Sequence, residues 1–154
     1  MGQFNFRNVG KTQEQAVAAQ LTVTPTPVGI ITPLQLGVEE IFAVTYTLAD
    51  QVHDNLRNLI LTNYGERLGL YDFGGNLRPL TAEFTSQDDF DSQAVERIKG
   101  AVGRWMPYVS LDSFISTVNR NNNKNTGIID ITITYDVPAL NVQKKALVVT
   151  LYVM

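Results

Sequence analysis

The sequence predicts an α+β fold in which two main helices pack on a small antiparallel sheet of about three strands. An extended N-terminal arm precedes them. Two segments, 48–61 and 90–105, carry apolar residues at the three-and-four spacing of an amphipathic helix. The last third of the chain instead alternates apolar and polar residues, which is typical of half-buried strands. At 154 residues the chain has the length of one domain.

Residues 1–46 are predicted to be an extension rather than a second core. Segment 22–33 places prolines among β-branched residues, and proline favours extended geometry in itself and in the residue before it. This segment is predicted to be either a linker or edge strand, or an arm that lies in a groove of a neighbouring protein. The compact domain is predicted to occupy 47–154.

The first helix is predicted to begin after Thr47, because Thr47 and Asp50 form a capping signal. Asn63 and Gly65 are predicted to adopt the left-handed conformation that ends it. His53, the only histidine, is expected on its polar side, and a single histidine without a cluster of other ligands predicts no metal site. The apolar face of this helix is predicted to hold Leu48, Val52, Leu56, Leu59 and Ile60.

The second helix is predicted to begin at a cap formed by Ser86 and Asp89 and to end before Pro107. Gly100 and Gly103 weaken it by about 1 kcal/mol each relative to alanine. We therefore expect a neighbouring segment to pack closely against that face. Its apolar positions are Phe90, Ala94, Ile98, Ala101, Val102 and Trp105.

Three strands are predicted in the last third of the chain. The first contains Val109, Leu111 and Ile115, the second spans 129–135, and the third spans 147–153. The last strand is predicted either to be interior or covered, or to lie at an edge where unpaired main-chain groups can pair with another chain. Lys144 and Lys145 precede it and can protect such an edge.

The segment between the two helices carries a specific pattern, Ile-Leu-Thr-x-x-Gly-Glu-Arg followed by Asp-Phe-Gly and a leucine. In this order and spacing the segment resembles the wedge and sheath-initiator family of contractile phage-tail baseplates. This baseplate protein W-like, tail-lysozyme-like superfamily has relatives in type VI secretion baseplates and contractile bacteriocins. The resemblance covers about 29–154, and the matching positions are Ile60, Leu61, Thr62, Gly65, Glu66, Arg67, Asp72, Phe73, Gly74 and Leu77.

The resemblance implies a non-enzymatic structural protein of the virion tail baseplate, assembled in the host cytoplasm. It implies docking on the helical core bundle formed by other wedge proteins, with tube or hub proteins as further candidate partners. It also implies that the C-terminal strand edge nucleates assembly of the tail sheath protein by strand addition. The residues implied at the wedge interface are Glu66, Arg67, Asp72, Phe73, Trp105, Met106, Pro107 and Tyr108. Those implied at the sheath interface are Leu147, Val149, Leu151 and Val153.

One departure from the family concerns the motif after the second helix. Family members usually carry Trp-Glu-Pro-Arg, whereas this chain has Trp-Met-Pro-Tyr at 105–108. The acid and the base are absent, so a docking contact here is expected to be apolar and aromatic rather than charge-paired.

The main alternative function is a peptidoglycan-degrading glycoside hydrolase. The family has carried a lysozyme label, and Glu66 and Asp72 are candidates for a carboxylate pair. However, nothing in the sequence specifies a cleft or an apolar pocket that would raise one pKa. A net charge of −3 disfavours a nucleic-acid partner, and no apolar run reaches the ~18 residues of a membrane helix. The chain has no cysteine, which excludes disulfides and thiolate chemistry, and no cofactor is predicted.

Overall fold

The computed structural model describes residues 25–37, 41–83, 86–120 and 127–153. In chain order their elements are β1 (Gly29–Ile30), β2 (Val44–Thr45), α1 (Leu48–Leu61), α2 (Arg78–Ala82), α3 (Gln87–Trp105), β3 (Ser110–Arg120), β4 (Gly127–Val137) and β5 (Val142–Val153). A 3-10 turn at Pro138–Leu140 joins the last two strands. The predicted α+β fold is confirmed, and the short helix α2 is an element that the sequence did not predict.

Helix α1 begins at the predicted cap, where the hydroxyl oxygen of Thr47 accepts a hydrogen bond from the Asp50 amide at 3.2 Å. The predicted apolar face is buried except at Leu48, whose side chain is 56% exposed because the residue opens the helix. The prediction that Asn63 is left-handed is wrong; of the two predicted residues, Gly65 alone has a positive φ, of 84°. The helix ends instead at Thr62, which is extended and whose hydroxyl donates to the Asn58 carbonyl at 2.6 Å.

Helix α3 also begins as predicted, with the Ser86 hydroxyl accepting from the Asp89 amide at 3.3 Å. Its buried positions match the predicted face, and Trp105 at its end is half-buried. The expectation of close packing at Gly100 and Gly103 is wrong. Among the described residues, a Cβ added at either glycine would meet no atom within 4 Å outside the adjoining backbone of α3, because both glycines are exposed.

The three-stranded sheet is antiparallel in the order β3-β4-β5. The predicted alternation is confirmed in the central strand β4, where Ile129, Ile131, Ile133 and Tyr135 are buried. In β3 the register shifts between Leu111 and Ser113, which moves later residues to the opposite face. Ile115, which was predicted in the same strand as Leu111, therefore lies on the other face and is 61% exposed.

The core lies between the helices and one face of this sheet. Side chains of α1 and α3 pack there against β4, and Leu147 and Val149 of β5 join them. Within the described residues β5 pairs only with β4, so its other side is an open edge, as one of the two alternatives predicts. No helix within these ranges is both long enough and apolar enough to cross a bilayer.

The described part of the predicted N-terminal extension forms a small hairpin against α1. Strands β1 and β2 pair antiparallel, and the Val28 amide donates to the Thr45 carbonyl at 2.8 Å. The Thr32 amide donates to the Asp54 carboxylate of α1 at 3.1 Å. The chain is thus tied to the helix before residue 47. Predictions for 1–24 lie outside the described residues, and the domain boundary stays a prediction.

Candidate functional site

Glu66 closes the loop that follows α1. Its carboxylate accepts hydrogen bonds from the Asn63 amide at 2.7 Å and from the Asn63 side-chain nitrogen at 3.0 Å. The Asn63 side-chain oxygen in turn accepts from the Arg78 amide at 3.1 Å, which ties the loop to α2. These hydrogen bonds to Asn63 lower the pKa of Glu66 from its usual value.

The turn at Gly74 and Gly75 lies directly against the end of α1. The Gly75 amide donates to the Leu59 carbonyl at 2.8 Å, and the Asn76 amide donates to the Thr62 carbonyl at 3.1 Å. These bonds satisfy carbonyls that the end of a helix leaves without partners. Gly74 has a φ of 122°, and a Cβ there would lie 2.1 Å from the Thr62 carbonyl oxygen. Only glycine fits this close approach.

A row of stacked side chains joins the loop to the end of α3. The Arg67 guanidinium lies 4.2 Å from the centre of the Phe73 ring, and Phe73 meets Trp105 edge to face with ring centres 5.2 Å apart. The Arg104 guanidinium lies 4.9 Å from the Trp105 ring and 2.5 Å from the Asp72 carboxylate. Cation–π and aromatic contacts of this kind hold the loop and the helix in one arrangement.

Beside this row lies an open groove of about 620 Å³ between α1, the loop and the end of α3. The structure brings together six of the eight residues predicted at the wedge interface, and all six line the groove: Glu66, Arg67, Phe73, Trp105, Met106 and Tyr108. Asp72 is linked to the groove through Arg104, and Pro107 does not line it. We refer to this surface as the aromatic groove.

The sequence did not predict the wall that α1 contributes to the aromatic groove. Asn55, Asn58, Leu59 and Thr62 line it. They recur at the three-and-four spacing: Leu59 belongs to the predicted apolar face of α1, Asn55 and Asn58 lie beside it, and Thr62 directly follows the helix. That spacing could have identified them, but polar residues in a helix are also what a solvated surface requires.

The four residues predicted at the sheath interface all lie on β5 and turn their side chains toward the core. Leu147 and Val149 are buried, and Leu151 and Val153 are half-buried. Contact between Leu147 or Val149 and a partner would therefore run through the main chain. The exposed side chains of the strand alternate with them, with Val148 57% and Tyr152 66% exposed.

No protein-family model and no curated protein matches this chain. Among solved structures, a chain of the anti-feeding prophage baseplate aligns with a TM-score of 0.56 at 20% identity, covering 70% of this chain and 82% of that one. A Geobacter sulfurreducens protein assigned as a tail lysozyme aligns with a TM-score of 0.57 at 22% identity, covering 72% and 96%. A chain of the postcontracted pyocin R2 baseplate reaches 0.49 at 14% identity, covering 68% and 97%.

The chain shares the fold of a prophage baseplate chain. Two solved structures thus carry the same architecture as this one, and the alignments span most of their own lengths. At 20% and 22% identity these alignments show a shared fold, and a shared fold does not imply a shared activity.

His53, predicted on the polar side of α1, makes a contact with the sheet. Its Nδ1 lies 2.8 Å from the hydroxyl oxygen of the buried Tyr135, and its ring is half-buried. Burial lowers the pKa of His53 and raises the pKa of Tyr135 to about 12. In the described ranges no group of three histidine, cysteine or acidic residues is placed to hold a metal ion.

Proposed function

We propose that this chain is a non-enzymatic structural component of a contractile-tail baseplate. The aromatic groove docks on a helical bundle formed by other wedge proteins, and the open edge of β5 nucleates assembly of the sheath protein. The observation that carries this proposal is the unpaired edge of β5, on a fold shared with a prophage baseplate chain.

The aromatic groove suits a helix of a partner protein. Its floor is apolar, with Leu59, Phe73 and Met106, and Asn55 and Asn58 of α1 also line it. An apolar floor with polar groups beside it is the composition found where an amphipathic helix docks in a groove. Large aromatic side chains such as Trp105 and Tyr108 are the usual anchors of such contacts.

The charges around the groove also favour a helical partner with acidic residues. Among the described residues Arg67 has no salt-bridge partner; its guanidinium lies over Phe73 and remains exposed. A carboxylate of the partner can reach it without displacing an existing ion pair. The contact then combines an aromatic floor with one charge-assisted hydrogen bond at the rim.

The β5 edge suits strand addition. Along an edge strand, half of the main-chain amides and carbonyls point away from the sheet without partners. An added strand bonds to these groups, and its alternate side chains set the register. The exposed side chains of β5 include Val148 and Tyr152, which add apolar contact on the outer face.

Two features of the carboxylates oppose the alternative of glycoside hydrolysis. A general acid in such an enzyme needs a raised pKa, whereas the hydrogen bonds from Asn63 lower the pKa of Glu66. Asp72 is held in an ion pair with Arg104. We therefore expect no turnover of peptidoglycan by the protein, measured as release of soluble fragments. Turnover that the Glu66→Gln variant abolishes would establish the hydrolase instead.

The docking role of the groove is tested with a matched pair of tyrosines. Tyr108 lines the groove and is 48% exposed, while Tyr46 precedes α1 and is 49% exposed. Tyr108→Ala is expected to weaken binding to the wedge proteins of the same particle by about 2 kcal/mol, roughly 30-fold, in isothermal titration calorimetry. Tyr46→Ala is the control and should bind like wild type. Equal affinity of both variants would remove the groove from the interface.

The proposed role of the β5 edge in sheath assembly is tested by introducing a lysine, because lysine on an edge strand opposes strand addition. Val148 on β5 and Ile115 on β3 flank Thr132 in one cross-strand row and are similarly exposed. Val148→Lys is expected to reduce the number of sheathed baseplates in electron micrographs, whereas Ile115→Lys should leave it unchanged. Normal sheath assembly on Val148→Lys baseplates would contradict the proposal.

A further inference from the structure

A second cavity, of about 250 Å³, lies beside the last residues of β5. It is lined by Ile60 and Leu61 of α1, by Asn63, by Leu77, by Arg78 and Thr81 of α2, and by Thr150, Leu151 and Tyr152 of β5. No β4 residue is among these, so the cavity lies on the side of β5 that faces away from β4. We refer to it as the edge cavity.

We propose that the edge cavity receives an apolar side chain from the strand that adds to β5. The inference rests on the proposed function, since it names what the incoming sheath strand must present. An added strand directs alternate side chains toward the two faces of the sheet. A side chain on the face where the helices lie, level with Leu151, enters the space between β5 and the helices.

The size and chemistry of the edge cavity fit a side chain better than a free small molecule. Its volume is below the ~300–1,000 Å³ typical of small-molecule sites. Ile60 and Leu77 on its walls are almost completely buried, and Leu151 is half-buried. An aliphatic or aromatic side chain that fills it would bury apolar surface against these three residues, which favours binding.

The rim of the edge cavity adds a preference for acidic residues near the anchor. Arg78 lies there with an exposed side chain, and the described lining includes no carboxylate. Of the ion pairs formed by described residues, none includes Arg78. The incoming strand is therefore expected to carry an aspartate or glutamate beside its apolar anchor.

The inference is tested by protection of an introduced thiol, which the natural absence of cysteine makes specific. Leu61→Cys places a thiol in the wall of the edge cavity, and Leu48→Cys places one at the other end of α1. Each variant is treated with N-ethylmaleimide, with and without the sheath protein of the same particle at saturation. Modification of Leu61→Cys should slow at least about tenfold in the complex, because the thiol loses access to the reagent. Modification of Leu48→Cys should not change.

A converse experiment fills the edge cavity before the strand arrives. Leu61→Trp is expected to weaken sheath binding about tenfold, while Leu48→Trp should leave it unchanged; circular dichroism checks that both variants fold. Arg78→Glu should weaken binding and reduce its dependence on salt, because it removes the cation facing the acidic strand. Full binding by folded Leu61→Trp would overturn the inference.

The outcomes separate this inference from the proposed function. If the wild-type protein does not bind the sheath protein in analytical ultracentrifugation, the proposed function fails. If the Leu61→Cys protein binds the sheath protein but N-ethylmaleimide modifies its thiol as fast as in the unbound protein, the proposal of strand addition to β5 is still supported. In that case the edge cavity is not the site of the anchor, and the inference fails alone.

Discussion

Replacing Gly74 by alanine should destabilise the whole domain. A Cβ at this position would lie 2.1 Å from the Thr62 carbonyl oxygen and 2.7 Å from the carbonyl carbon, and both are backbone atoms that no rotamer change can move. The φ of 122° is in addition a conformation that residues with a side chain rarely adopt. The turn must therefore shift away from the end of α1.

The loss of stability in Gly74→Ala can be calculated from the backbone strain and the hydrogen bonds that the shift of the turn affects. Backbone strain at such a φ costs about 1–3 kcal/mol. Moving the turn also weakens the bonds from the Gly75 and Asn76 amides to the carbonyls of Leu59 and Thr62, each worth about 1 kcal/mol. We expect Gly74→Ala to lower the free energy of unfolding by about 3–4 kcal/mol. For a domain of this length that corresponds to a fall in Tm of roughly 6–16 °C.

The matched control is the same substitution at Gly100. That residue lies inside α3, and no described residue outside its own helix turn comes within 4 Å of an added Cβ, so alanine there should stabilise the protein by about 0.4–1 kcal/mol. Urea unfolding followed by circular dichroism measures both variants. A Gly74→Ala protein whose unfolding free energy lies within about 1 kcal/mol of wild type would refute the reasoning.

Three further predictions concern charged groups. The pKa of Glu66 is lowered, so its bonds stabilise the fold above the unfolded pKa of about 4.3 and are lost as pH falls through the folded value. The urea midpoints of wild type and Glu66→Gln should therefore differ at neutral pH and converge in acid. The pKa of His53 is lowered by burial, so protonation favours the unfolded state, and stability should fall as pH drops below about 6.5. His53→Gln should flatten that slope, and an unchanged slope would assign it to another group. The Asp72–Arg104 pair is more than half exposed on both sides, so a double-mutant cycle should give a coupling below about 1 kcal/mol; a larger value would mean that the pair braces the loop.

Local sequence signals predicted the two long helices and the central strand because each of those elements is specified by its own residues. The caps at Thr47 and Ser86 and the alternation along β4 all appear where the sequence puts them. The left-handed conformation predicted at Gly65 is also present, with a φ of 84°, because glycine adopts it easily.

Most of the features that the sequence did not predict depend on contacts between residues that are far apart in the chain. The register shift before Ser113 depends on the pairing of β3 with β4, so no local pattern shows that Ile115 turns outward. The contact of His53 was not predicted, because its partner, Tyr135, lies 82 residues further along the chain. At Gly100 a helix-weakening residue suggested close packing, but no part of the chain that the structure describes packs there, and the structure gives no physical reason for glycine.

The loop after α1 links the two proposed interfaces. Glu66, Arg67 and Phe73 line the aromatic groove, while Asn63 lines the edge cavity and binds Glu66. The described linings of the aromatic groove and the edge cavity have no residue in common. The loop that contributes to both is hydrogen-bonded to the end of α1. A change that displaces the loop, such as Gly74→Ala, should therefore weaken wedge docking and sheath binding together. A substitution within only one of the two surfaces should weaken binding of only the corresponding partner. A folded loop variant that lost binding of a single partner would show that the loop does not couple wedge docking to sheath binding.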